Sequence, residues 1–89
     1  MAEKVTDQLS AELVNYLQGE RMVTVASIDA ENGSPNILTI SWLLAIDDST
    51  LRLAIDSRSK LLTNIGKDAR VTVSVLGAGS AYAITGRAR

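Results

Sequence analysis

After Gly19 the spacing of the apolar residues changes, and this change limits what the chain can fold into. Between Thr6 and Leu17 the apolar residues recur at steps of three and four. This spacing predicts an amphipathic helix of about three turns, capped by Thr6 or Asp7 and ended by Gly19. Beyond Gly19 the apolar residues recur at steps of two, in runs rich in β-branched residues. The chain is therefore predicted to be mainly β with short helices.

Short turns separate the predicted strands. The strands are expected over residues 21–29, 36–46, 50–55, 70–76 and 81–89, with a short helix over 60–65 that ends at Gly66. Connections as short as the turn at 29–35, which contains Asn32-Gly33, require antiparallel pairing. The segment 36–46 is largely apolar on both faces, which predicts that it is covered on two sides.

The chain has the length of one small domain, residues 1–89. Its last predicted strand runs to Arg89 without a cap or a return element, and one sheet edge is left unpaired. We therefore expect the chain to be the front part of a longer domain, and we also expect a homodimer.

The composition excludes several classes of function. The sequence contains no cysteine and no histidine, which removes disulfides, thiolate metal sites and the Ser-His-Asp triad. Nine basic and ten acidic residues, with only 3% aromatic residues, disfavour a nucleic-acid partner, including an RNA-binding barrel. The N-terminus is charged and does not predict a signal peptide. The longest apolar run, 42–46, is too short to predict a membrane span. A cytoplasmic protein is expected.

A candidate anion site lies between the third predicted strand and the short helix, at residues 56–60. The N–H groups of a helix N-terminus are unpaired, and Ser59 adds a hydroxyl donor there. Arg58 and Lys60 add positive charge, so that the segment suits a terminal phosphate. The alternative is that Ser59 only caps the helix while both cations are solvated, which is the commoner outcome for an isolated motif.

Three residues of the second predicted strand have two interpretations. A tryptophan at the centre of an apolar strand, such as Trp42, usually belongs to the core. The alternative is that Trp42 lies near a planar ligand. Thr39 and Ser41 are either polar residues of the sheet surface or the lining of a ligand groove. No residue of the sequence is singled out as catalytic or as a metal ligand.

A succession of short motifs runs along most of the chain. The motifs occupy residues 22–29, 33–35, 40–43, 47–48, 55–60, 64–65, 68–75 and 84–88. In this order and at these spacings they resemble the pyridoxamine 5′-phosphate oxidase-like FMN-binding split-barrel family. The resemblance implies an antiparallel split β-barrel and a homodimer with FMN at the subunit interface. A deazaflavin in the place of FMN is not excluded.

The resemblance also implies which residues contact the cofactor. Ser59 and Lys60 match the serine and the basic residue that bind the flavin phosphate, and Arg58 adds charge beside them. Four implied contacts lie along the isoalloxazine ring: Thr39, Ile40, Ser41 and Trp42. Two more, Ile55 and Asp56, lie beside the phosphate and the ribityl chain.

The sequence departs from the family pattern at several positions. Thr39 and Leu44 stand where the vitamin B6 oxidase has an arginine and a lysine, and Leu61 replaces a second basic residue of many members. The part of the oxidase that contacts pyridoxal phosphate has no counterpart here, so vitamin B6 oxidation is not expected. The resemblance implies an FMN-dependent oxidoreductase with another small-molecule substrate. The alternatives are the same fold with a deazaflavin and a non-catalytic dimeric β-barrel module.

Overall fold

The fold consists of two short helices and six strands. A computed structural model of the chain describes residues 7–19, 21–77 and 80–89. In chain order the elements are α1 (Ala11–Tyr16), β1 (Val23–Ile28), β2 (Pro35–Ile40), β3 (Leu43–Ala45), β4 (Leu51–Leu53), α2 (Lys60–Lys67), β5 (Arg70–Gly77) and β6 (Ser80–Arg87). The prediction of a mainly β chain with short helices is confirmed.

The strands form two antiparallel sheets. The larger sheet has the order β2-β1-β5-β6, and β3 pairs with β4 in a separate two-stranded sheet, called the ribbon below. Among the described residues, all four strand pairings are antiparallel, as the short connections predict. Over the described residues the larger sheet and the ribbon do not close into a barrel.

The first helix is shorter than predicted. It has six residues and begins after Ser10, whose Oγ accepts a hydrogen bond of 3.1 Å from the Leu13 N–H. The Leu9 N–H donates instead to the Asp48 carbonyl at 2.8 Å, which holds residue 9 outside the helix. The predicted cap at Asp7 is therefore wrong, and the predicted cap at Thr6 lies outside the described residues.

The predicted strand 36–46 is interrupted at Ser41 and Trp42, and its prediction as one continuous strand is wrong. Its first part is β2, which pairs with β1, and its last part is β3 in the ribbon. The chain changes partners at the interruption, because the Trp42 carbonyl accepts from the Ala54 N–H at 2.9 Å. The Ala45 N–H then donates to the Leu17 carbonyl at the end of α1, at 3.2 Å.

One side of this segment is open, so the prediction that it is covered on two sides is also wrong. Ile37 is 71% exposed and Trp42 is 65% exposed, which contradicts the core position predicted for Trp42. Leu43 and Ala45 are buried on the other side of the ribbon. The exposure of one side of the segment follows from the interruption rather than from its composition, because the interruption directs the alternate side chains of β3 away from the core.

The core combines side chains from both helices and both sheets. Its fully buried members come from α1 and the residue after it, from the inner face of the larger sheet, from the ribbon and from α2: Leu13, Leu17, Val23, Val25, Val73, Val75, Leu43, Ala45 and Leu61. The other face of the larger sheet is open to solvent at Ile37 and Leu76.

Other boundaries differ by small amounts. The third predicted strand, 50–55, is reduced to the three residues of β4, and α2 continues through Gly66 to Lys67. The turn at 29–35 is confirmed, with Gly33 at a φ of 76°. The tip of the turn predicted at 77–80, residues 78 and 79, lies outside the described residues. Among the described residues, the helices are too short and too polar for a bilayer span.

Candidate functional site

The first part of the candidate site is the turn that leads into α2. Ser59 is the N-cap residue of this helix, and its Oγ accepts from the Leu61 N–H at 3.2 Å. The Ser59 N–H donates to the Asp56 carbonyl at 2.9 Å, which closes the turn. The structure therefore brings together four of the predicted site residues, Asp56, Arg58, Ser59 and Lys60. It also shows that Ser59 has the capping role that was considered as the alternative.

Within this turn, the charge of Arg58 is balanced by its neighbour Asp56. The Arg58 Nη2 lies 3.2 Å from the Asp56 Oδ2, and the Arg58 backbone N–H donates to the Asp56 Oδ1 at 2.8 Å. Hydrogen bonds from the Arg58 side chain and backbone lower the pKa of the Asp56 carboxyl. The Arg58 side chain is 89% exposed, so the pair contributes little to stability.

Lys60 is balanced by a carboxylate from the other side of the site. Its Nζ lies 2.5 Å from the Oδ2 of Asp29, whose side chain is almost fully buried at the end of β1. Asp29 also accepts from the backbone N–H groups of Glu31 and Asn32. The hydrogen bond from Lys60, with those from the backbone, lowers the pKa of Asp29 to about 2, against the opposing effect of burial. The same hydrogen bond raises the pKa of Lys60.

Asn64 fixes α2 to the hairpin formed by β1 and β2. Its side chain is fully buried, and its Oδ1 accepts from the Ala30 N–H at 2.9 Å. Its Nδ2 donates to the Ser27 Oγ at 3.0 Å and to the Asn36 Oδ1 at 2.8 Å. The amide thereby reaches both strands and the turn between them, and sets where the start of α2 lies relative to Asp29.

Neither Asp29 nor Asn64 was identified as a site residue from the sequence, although each left a signal. Asp29 follows an alternating strand and precedes Asn32-Gly33, a position where aspartate often accepts hydrogen bonds from the following backbone. Asn64 lies three residues after Leu61 and therefore on the apolar side of α2. A polar side chain at such a position needs buried hydrogen-bond partners.

The second part of the candidate site is an open groove beside the ribbon. Its volume is about 320 Å³, and it is lined by Gln18, Gly19, Ser41, Trp42, Leu43, Leu44, Arg52, Leu53 and Ala54. Of the predicted ring contacts, Ser41 and Trp42 line this groove. Thr39 and Ile40 do not, since Ile40 packs against the core and Thr39 alternates with it on the outer face of β2.

Residues 54–56 connect the groove to the turn before α2. Ala54 lines the groove, Ile55 packs against the core, and Asp56 belongs to the turn. Of the two predicted contacts in this segment, Asp56 therefore reaches the first part of the site, whereas the Ile55 side chain anchors the connection. The two parts of the site thus adjoin along the chain at the end of β4.

These features define a class of protein: a small antiparallel β domain with a capped helix start next to a groove. Comparison with known families makes the assignment specific. The family model described as pyridoxamine 5′-phosphate oxidase matches residues 9–89, and the chain therefore belongs to this family of flavin-related split-barrel proteins. The resemblance inferred from the sequence motifs is thereby confirmed. No curated protein matches the chain.

The depressed pKa of Asp29 predicts a dependence of stability on pH. Its value of about 2 in the folded protein lies below the usual 3.8, so its ionised form stabilises the fold above that usual value. This stabilisation is lost as the pH falls through about 2. We measure the free energy of unfolding by urea denaturation at pH 6 and at pH 2. We expect the decrease from pH 6 to pH 2 to be smaller in Asp29→Asn than in the native chain. Asp48→Asn, which changes an exposed carboxylate, serves as control and should fall as the native chain does.

The hydrogen bonds of Asn64 predict a large cost for its removal. Asn64→Ala leaves the Ala30 N–H without its acceptor, and it leaves the buried Ser27 and the half-buried Asn36 side chains without their donor. We expect a loss of about 3 kcal/mol in the free energy of unfolding, measured by urea denaturation. The matched variant Asn15→Ala, at an exposed position of α1, should change it by less than about 0.5 kcal/mol. Equal losses in the two variants would contradict the role given to Asn64.

Proposed function

We propose that the chain is an FMN-binding split-barrel protein and a small oxidoreductase, which acts on a small molecule as a homodimer with the cofactor between its subunits. The observation that carries this proposal is the position of Ser59 and Lys60 at the first turn of α2, in a chain of this family. These two residues are the ones that match the phosphate-binding pair of the family.

The hydrogen-bond donors at this turn fit a phosphate group. The Ser59 Oγ acts as an acceptor toward Leu61, which leaves its hydroxyl hydrogen to donate. Lys60 is 55% exposed, and its ammonium has three N–H donors, of which Asp29 does not use all. The helix N-terminus adds its backbone N–H groups and partial positive charge. The proposed phosphate contacts are therefore Ser59, Lys60 and, at the rim, Arg58.

The charge of the turn fits a phosphate less well than its donors do. Arg58 and Lys60 are each balanced by a carboxylate, that of Asp56 and that of Asp29. Leu61, where many family members have a basic residue, adds no charge. We therefore expect phosphate binding to depend on hydrogen bonds more than on net charge, and the affinity for FMN to be modest.

The ring of the cofactor is proposed to lie along the groove. Ser41 and Trp42 provide its polar and aromatic lining. Thr39 and Ile40 serve by fixing the position of Ser41 and Trp42 at the end of β2. When bound, FMN supplies hydride transfer, while the protein orients the ring and limits the access of water.

The exposed apolar residues support the proposed homodimer. Ile37 and Leu76 lie on the outer face of the larger sheet and are 71% and 76% exposed. Large exposed apolar side chains on a sheet face are typical of a surface that a partner covers. In the proposal a second copy covers it, completes the split barrel and encloses the cofactor.

The proposal predicts that the purified protein binds FMN through Lys60. We expect titration with FMN, followed by flavin absorbance and equilibrium dialysis, to show saturable binding by a dimer. To keep Asp29 from losing its partner, Lys60→Ala is made in the Asp29→Asn background. This double variant should bind FMN about tenfold more weakly than Asp29→Asn alone.

Lys67→Ala in the same background is the matched control, since Lys67 lies at the other end of α2 and donates to the Ala30 carbonyl. It should leave FMN affinity unchanged. A parallel titration with a deazaflavin distinguishes the two cofactors. A folded dimer that binds neither flavin would contradict the proposal and favour the non-catalytic β-barrel module.

A further inference from the structure

The larger sheet has two outer strands, and β6 is the longer of them. It has eight residues and pairs along its whole length with β5. Among the residues that the structure describes, β5 is the only strand beside β6, so the other edge of β6 is open. An open edge presents unpaired backbone N–H and C=O groups, to which another extended strand can add.

The hydrogen bonds at the end of β6 show which backbone groups face the open edge. The Ala88 N–H donates to the Ala69 carbonyl at 2.8 Å, and these residues lie opposite each other when the register of β5 and β6 is continued. In an antiparallel pair, residues that bond to the neighbouring strand alternate with residues whose N–H and C=O point away from it. The groups that point to the open edge therefore belong to four exposed residues: Ala81, Ala83, Thr85 and Arg87.

The other outer strand, β2, is protected against strand addition, whereas β6 is not. β2 begins at Pro35, which has no N–H, and the chain leaves the larger sheet after Ile40 to enter the ribbon. Proline, charge and short length are the usual features that protect an open edge. In β6, residues 81–86 contain neither proline nor a charged residue, and Arg87 lies at the end of the strand.

The sequence of β6 suits antiparallel pairing with a second copy of itself. When Ala83 lies opposite the partner's Ala83, Tyr82 lies opposite the partner's Ile84, in the type of pair whose side chains come closest. An aromatic and a β-branched residue form a favourable cross-strand pair. Tyr82 and Ile84 pack against the core but are only half-buried, so a second copy would cover more of both. In this register Arg87 does not face the partner's Arg87, so like charges do not oppose each other.

We propose that two copies of the chain pair antiparallel along β6, with Ala83 at the two-fold axis, and join their larger sheets into one continuous sheet. The backbone groups of Ala83 bond to those of the partner's Ala83, and the backbone groups of Ala81 bond to those of the partner's Thr85. This contact lies at the edge of the sheet, whereas the homodimer of the proposed function uses its outer face. The inference therefore goes beyond that function and does not depend on it.

Amide hydrogen exchange, followed by NMR, tests the pairing because it separates the two sides of β6. The native chain is measured at high protein concentration and again after dilution of about a hundredfold, which dissociates a dimer by mass action. The amides of Tyr82 and Ile84 bond to β5 and should exchange slowly in both samples. Those at the open edge should exchange about tenfold more slowly in the concentrated sample than in the dilute one: Ala81, Ala83 and Thr85.

Ala83→Pro removes the central N–H of the proposed contact. The bonds to β5 remain, since proline is tolerated where the N–H of an outer strand faces solvent. We expect this variant to lose the effect of concentration at Ala81 and Thr85. Slow exchange at Ile84 in the same sample shows that the strand is still folded.

Ile37→Pro is the matched control on the other outer strand. The Asp29 N–H donates to the Ser34 carbonyl at 2.7 Å, so by the same alternation the Ile37 N–H points to the open edge of β2. This variant should keep the effect of concentration at β6, although it removes an apolar side chain from the sheet face. Association that is lost in Ile37→Pro, with edge amides of β6 that exchange fast throughout, would assign the contact to the face and overturn the inference.

Three further results would overturn the inference. They are fast exchange of the β6 edge amides at both concentrations, slow exchange at both, which would show that the edge is covered within one chain, and an effect of concentration that survives in Ala83→Pro. A dimer that binds FMN while these amides exchange freely overturns this inference alone. A chain that protects them on association but binds no flavin overturns only the proposed function.

Discussion

The site depends on a set of buried polar contacts between α2 and the hairpin of β1 and β2. Asn64 donates to Ser27 and Asn36, and it accepts from the backbone at Ala30. Asp29 completes the connection through its ion pair with Lys60. Buried polar groups of this kind are costly unless each has a partner, so they permit one placement of the helix rather than several. The start of α2, with its cap at Ser59, is held at one position relative to the sheet as a result.

The same contacts change the electrostatics of the site. Lys60 was expected to offer its charge to a phosphate, but it also neutralises a carboxylate that is almost fully buried. With Arg58 balanced by Asp56, the turn offers hydrogen-bond donors without net positive charge.

Much of the local structure could be predicted from the residues. The Ser59 cap, the helix after it and the turn around Asn32-Gly33 follow from short-range rules, because each depends on hydrogen bonds between residues close in sequence. The interruption at Ser41 could not be predicted in this way. It arises because the Trp42 carbonyl pairs with Ala54, and such a partner is chosen only when the sheets assemble. For the same reason the predicted core position of Trp42 was wrong.

The sequence by itself determined the mainly β character, the antiparallel pairing, the cluster of Asp56, Arg58, Ser59 and Lys60, and the family. All of these follow from the spacing of the apolar residues, the residue types in the turns and the order of short motifs along the chain. Only the tertiary structure decided which carboxylate pairs with Lys60, which polar residue fixes α2, and that Trp42 lines an open groove. These features depend on contacts between residues roughly ten to forty positions apart, and the spacing of neighbouring residues does not specify them.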